Sequence, residues 1–123
     1  MNTASSAEVV GLAKELAEFA CRLEAGWTMA YFRFSFEPTR LGSVVSYAAR
    51  GNVLLIDPRR NADFFSSMNA RGEQLFQLLN KDKGIILVSV NRELDFDVKF
   101  EFDDLGRWKI SKLNGGTGLP EGV

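Results

Sequence analysis

The spacing of apolar residues changes repeatedly along this chain, and each change marks an element. Val9, Leu12, Leu16, Phe19 and Leu23 recur at intervals of three and four, which stacks them on one face of a helix. A helix is therefore predicted from about Ser6 to Ala25. Ser5 and Glu8 suit a capping box at its start, and Gly26 suits its end. From Trp27 to Phe36 the period becomes two: Ala30, Phe32, Phe34 and Phe36 share a dry face, and Tyr31, Arg33 and Ser35 share the other. Pro38 ends that strand. Further strands are predicted from about Ser43 to Arg50 and Val53 to Asp57, with Gly51-Asn52 as the tight turn between them.

Helical spacing returns from Asn61 to Asn80, where Phe64, Met68, Leu75 and Leu79 form one stripe. Asn61 or Asp63 suits its cap, and Gly72 is expected to mark a kink or a break. Strands follow at Ile85 to Val90, Leu94 to Phe102 and Arg107 to Leu113. The middle one alternates cleanly. Leu94, Phe96, Val98, Phe100 and Phe102 are apolar, and the residues between them are charged. Asp104-Leu105-Gly106 reads as a hairpin turn, after which Trp108 and Ile110 continue the dry face. The expectation is an α+β domain over residues 1–113, in the order α-β-β-β-α-β-β-β. Its antiparallel sheet has about five to six strands, two helices pack on one face, and the other face meets water. Residues 114–123 are Gly-rich and read as a flexible tail with nothing to bury.

The composition fits that picture and narrows the chemistry. Of 123 residues, 46% are hydrophobic and 25% charged, a globular balance. Fifteen Lys and Arg against sixteen Asp and Glu leave a net charge of -1, which argues against general nucleic-acid binding. The first residues lack a basic start and an apolar run, and no stretch is apolar enough to span a membrane, so a cytoplasmic protein is expected. The lone Cys21 fits a reducing compartment. It is expected to be a buried or half-buried packing residue, since no base or second thiol can be named for it.

The chain has no histidine. Ser-His and Cys-His pairs and His-based metal sites are thereby removed, and no catalytic residue, metal site or cofactor is expected. The acidic residues Asp95, Asp97, Glu101, Asp103 and Asp104 could in principle share acid and base roles or hold a hard cation. Alternation instead places the first four in a row on the wet face of a strand, where carboxylates stay solvated. The span Asn91 to Asp104 carries six acidic and two basic side chains. Such a strip on a rigid strand suits docking of a basic protein. The arginines Arg33, Arg40, Arg50, Arg59 and Arg60 have no Gly-rich phosphate loop beside them, so surface solubility and internal pairing are expected.

The layout of short helix, meander, middle helix and closing acidic hairpin, RELDFDVKFEFDDLGRWKISKL from Arg92 to Leu113, resembles bacterial immunity proteins. These include the YezG-like group and the immunity partners of contact-dependent growth inhibition toxins. The resemblance implies a non-enzymatic cytoplasmic protein that binds the C-terminal domain of a cognate toxin, often a nuclease, and blocks its active site. The alternative is a small-molecule-binding or enzymatic α+β domain whose ten Phe residues line an apolar pocket of several hundred Å3. A third possibility, an adaptor or secretion chaperone, would show a large exposed apolar patch.

Overall fold

A computed structural model describes residues 2–123. Its elements are α1 (Thr3–Leu23), β1 (Trp27–Glu37), β2 (Arg40–Ala49), β3 (Asn52–Leu55), a 3-10 turn at Pro58–Arg60, α2 (Ala62–Leu78), β4 (Gly84–Asn91) and β5 (Phe96–Glu101). The strands form one antiparallel sheet ordered β3-β2-β1-β4-β5, so β3 and β5 are its edges. The α+β class and the order α-β-β-β-α-β-β match the pattern of the sequence, with five strands rather than six.

Both helices lie on the face presented by Phe32, Phe34, Ile86 and Val88. Leu12 and Leu16 from α1, and Met68 and Leu75 from α2, are fully buried against these residues. The Phe side chains fill this core by packing on one another. Phe36 stacks on Phe76 with ring centroids 5.0 Å apart, and Phe19 stacks on Phe64 at 3.8 Å. Burying each such ring contributes roughly 1.5–3 kcal/mol.

Local chemistry sets the element ends, in several places differently from the pattern. Asn2, not Ser5, caps α1. Its Oδ1 accepts from the Ser5 amide at 2.9 Å, and the Ser5 side chain is buried. Glu8 is drawn away from any capping box because it pairs with Arg71 on α2 at 3.0 Å. The tight turn after β2 is Arg50-Gly51, one residue earlier than expected. Both residues have positive φ, 53° and 80°, as a two-residue hairpin of matching twist requires. Gly72 does not break α2. A Cβ there would lie 2.7 Å from Cδ2 of Phe34, so its missing side chain is the space into which the Phe34 ring packs.

The largest departures lie after β5. Arg107 to Leu113 is not a strand, and Asp104-Leu105-Gly106 is therefore not a hairpin turn. The chain leaves the sheet plane, Trp108 takes a left-handed backbone (φ 58°), and the segment crosses the face opposite the helices. There Trp108 and Ile110 pack on Ile85 and Leu87, with Tyr31, Val44 and Leu105 around them. That face is consequently not left to water. Residues 114–123 also differ from the expected tail. Gly118 is buried, its amide donates to the Ser111 carbonyl at 3.0 Å, and Glu121 donates to Lys109 at the same distance.

The alternation of β5 points the expected way, since Val98, Phe100 and Phe102 pack against the main core. Leu94 and Phe96 do not join it: they are 51% and 44% exposed. The reason is position. Leu94 precedes the strand, and Phe96 begins an edge strand that α1 only partly covers.

Candidate protein-binding surface

Two hydrogen-bonded anchors hold the C-terminal segment on the sheet, and they decide where the acidic residues lie. The first is Arg33. Strand alternation aims it away from the helices, and the crossing segment buries it to 8% exposure. Its Nε donates to the Arg107 carbonyl at 2.8 Å, and one Nη donates to the Leu105 carbonyl at 2.9 Å. Burial lowers its pKa, opposed by the nearby charge of Asp104. Because a guanidinium titrates far above neutrality, it stays charged and the two carbonyls stay satisfied. Sequence reading placed Arg33 among surface arginines. The missed signal is Ile85-Ile86-Leu87-Val88, an unbroken apolar run that marks β4 as buried on both faces. The other arginines of that set behave as expected. Arg40 pairs with Glu37, Arg50 with Glu24, and Arg59 and Arg60 with Asp57, all exposed.

The second anchor is Glu101. Its Oε1 accepts from Arg107 at 2.7 Å, and its Oε2 accepts from the amides of Asp103 and Asp104 at 3.2 Å. The Arg107 bond, and then these two amides, hold its carboxyl below the usual range. Glu101 therefore shapes the turn out of β5 and is not free for a partner. Arg107 also lies 4.9 Å from the Trp108 ring, a cation-π contact that joins this anchor to the packed segment.

The five candidate residues do not form one row. Of them, only Asp97 and Glu101 lie in β5, with Lys99 between them. Asp95 sits in the turn before the strand, where its amide donates to Asn91 Oδ1 at 2.9 Å. Asp103 and Asp104 sit in the turn after it, and Asp104 Oδ1 accepts from Gly106 at 3.0 Å. Asp95, Asp97, Asp103 and Asp104 are all exposed, and none forms an ion pair among the described residues. The surface is thus an acidic margin along one sheet edge, interrupted by Lys99.

Cys21 corrects another expectation. It is exposed, and its sulfur accepts from the indole N–H of the fully buried Trp27 at 3.2 Å. The sulfur satisfies the polar tip of a core aromatic from the rim of α1, where solvent still reaches it. The groove between α1 and β5, lined by Val10, Ala13, Lys14, Val90, Leu94 and Phe96, holds about 60 Å3. Larger clefts, about 730 Å3 beside Arg33, Lys109 and Glu121 and about 550 Å3 beside Arg22, Arg59 and Phe64, lie open at the surface with mixed polar and apolar linings. No described helix is long and apolar enough to cross a membrane. No protein-family model matches the chain, and no curated protein matches it.

Proposed function

We propose that this chain is a binding protein of the immunity class, which docks on a basic toxin domain through the acidic margin of its sheet and neutralises it. The observation that carries the reading is the set of exposed carboxylates without ion-pair partners among the described residues, Asp97 in β5 with Asp95, Asp103 and Asp104 in the turns at its two ends. Glu101 supports that set from within by fixing the turn that displays Asp103 and Asp104. An electropositive nuclease site, built to hold phosphates, is the complementary surface. A preformed acidic edge meets it at little ordering cost and speeds encounter.

The test begins with capture of the partner from the native host and identification of its toxic domain. Affinity is then measured for Asp95→Lys, Asp97→Lys and Asp103→Lys combined, with Glu101 left intact because it anchors the fold. The expected loss is about a hundredfold or more, with association in the native protein slowing as salt rises. Unchanged affinity would place the contact elsewhere on the molecule. A partner without toxic activity would overturn the immunity reading itself.

A further inference from the structure

The cleft of about 730 Å3 lies between the C-terminal segment and strands β1 and β2. None of its lining residues belongs to β5 or to the turns beside it, so it is separate from the acidic margin. Part of the lining is apolar: half-buried Val44, buried Ile110, and Leu113, the most exposed large hydrophobic among the described residues at 78%. Two cations, Arg33 and Lys109, line the same space with one carboxylate, Glu121. Neither Lys109 nor Glu121 has an ion-pair partner among the described residues. Arg33 is buried, yet its donors are not all used. Its Nε and one Nη hold the Arg107 and Leu105 carbonyls, and the other Nη reaches the Ser35 hydroxyl only at 3.4 Å. Each Nη carries two N–H groups, so one on each has no protein partner. Buried donors of a charged group are costly to leave unsatisfied, and an acceptor in the cleft completes them.

We propose that this cleft binds a small amphipathic carboxylate, one acid group on an aliphatic body. The carboxylate accepts from the spare N–H groups of Arg33 and from the Lys109 ammonium, and the aliphatic body lies on Val44, Ile110 and Leu113. A guanidinium matches the geometry of a carboxylate and is more weakly hydrated than an ammonium, which suits it to a partly enclosed site. Two cations against Glu121 leave a balance of +1 in the lining, which favours a monoanion over a phosphate dianion. Glu121 also admits an ammonium beside the carboxylate. A short fatty acid and a free aliphatic amino acid therefore share the required chemistry.

The proposal is independent of the toxin reading, because its test uses the purified chain and leaves the acidic margin untouched. The chain is titrated with hexanoate, and with norleucine, which adds an α-ammonium to the same six-carbon acid. Amide shifts are followed by NMR. At least one of the two should bind with a Kd of about 1 mM, as expected for a ligand of so few atoms. The shifts should fall at Val44, Ile110, Ser111 and Thr117 and not at Asp97 or Lys99. Tighter binding of norleucine assigns an ammonium to Glu121, and tighter binding of hexanoate assigns Glu121 a purely repulsive role; either order supports the carboxylate site. Lys109→Glu should weaken binding about tenfold, and Lys109→Arg should retain it. Because Lys109 is exposed, both variants should keep the native circular dichroism. If neither probe shifts these amides up to about 20 mM, the proposal is overturned. It is also overturned if hexanol, acetate or inorganic phosphate binds as well as hexanoate, or if Lys109→Glu leaves the affinity unchanged.

Discussion

Arg33→Met removes the guanidinium that ties the C-terminal segment to the sheet while keeping a side chain of similar length. Two hydrogen bonds from a charged donor, at 2.8 and 2.9 Å, are lost, and the carbonyls of Leu105 and Arg107 lose their partner. Bonds to charged groups contribute about 1.5–3 kcal/mol each, so the gross loss is about 3–6 kcal/mol. Against that, the native protein holds a guanidinium at 8% exposure, and burial lowers its pKa, so its own desolvation is a real cost that methionine avoids. The net expectation is a loss of about 2–4 kcal/mol. With total stability usually 5–15 kcal/mol, the sheet and helices should remain folded. The loss should be concentrated where Trp108 and Ile110 pack on Ile85 and Leu87. Urea unfolding measures the total, and amide hydrogen exchange locates it. Exchange should quicken at Gly118 and Glu121, whose amides bond within the segment, but not within β1. A midpoint shift worth less than about 0.5 kcal/mol, with exchange unchanged, would refute the claim that Arg33 holds the segment.

Gly72→Ala should destabilise by about 1 kcal/mol in urea, because overpacking against Phe34 (about 1–3 kcal/mol) outweighs the helix-propensity gain of about 1 kcal/mol. A stabilised variant would show that the Phe34 ring yields. Glu101, whose pKa is depressed by Arg107, contributes stability that is complete above its ordinary value of 4.5 and is lost as pH falls through its lower folded value. Tryptophan fluorescence should therefore report acid loosening around Trp108, and Glu101→Gln should remove that component of the pH dependence. An identical acid profile in the variant would mean that the Arg107 pair does not anchor the segment.

The sequence by itself determined the class, the order of elements and most of the main core, because helix and strand periods are local properties that propagate through many residues. Leu12, Leu16, Phe32, Phe34 and Leu75 announce their faces by spacing alone, and all are fully buried. It also located the acidic span, since charge is read directly from residue type. What spacing could not decide is what covers the second face of the sheet. The segment Arg107 to Leu113 reads as a strand with Trp108 and Ile110 on one face, yet whether it pairs with β5 or crosses to Ile85 depends on contacts between residues far apart in the chain. Arg33 and the carbonyls of Leu105 and Arg107 are separated by more than 70 residues, and no local signal links them. Glu101 is paired by its own turn, with Arg107 six residues on, while the order of the strands leaves Phe96 at an edge and the one apparent acidic row becomes two exposed ends around Lys99. A strand's period states which side chains share a face. Only the tertiary structure decides whether that face meets water, a helix or the chain's own C-terminal segment.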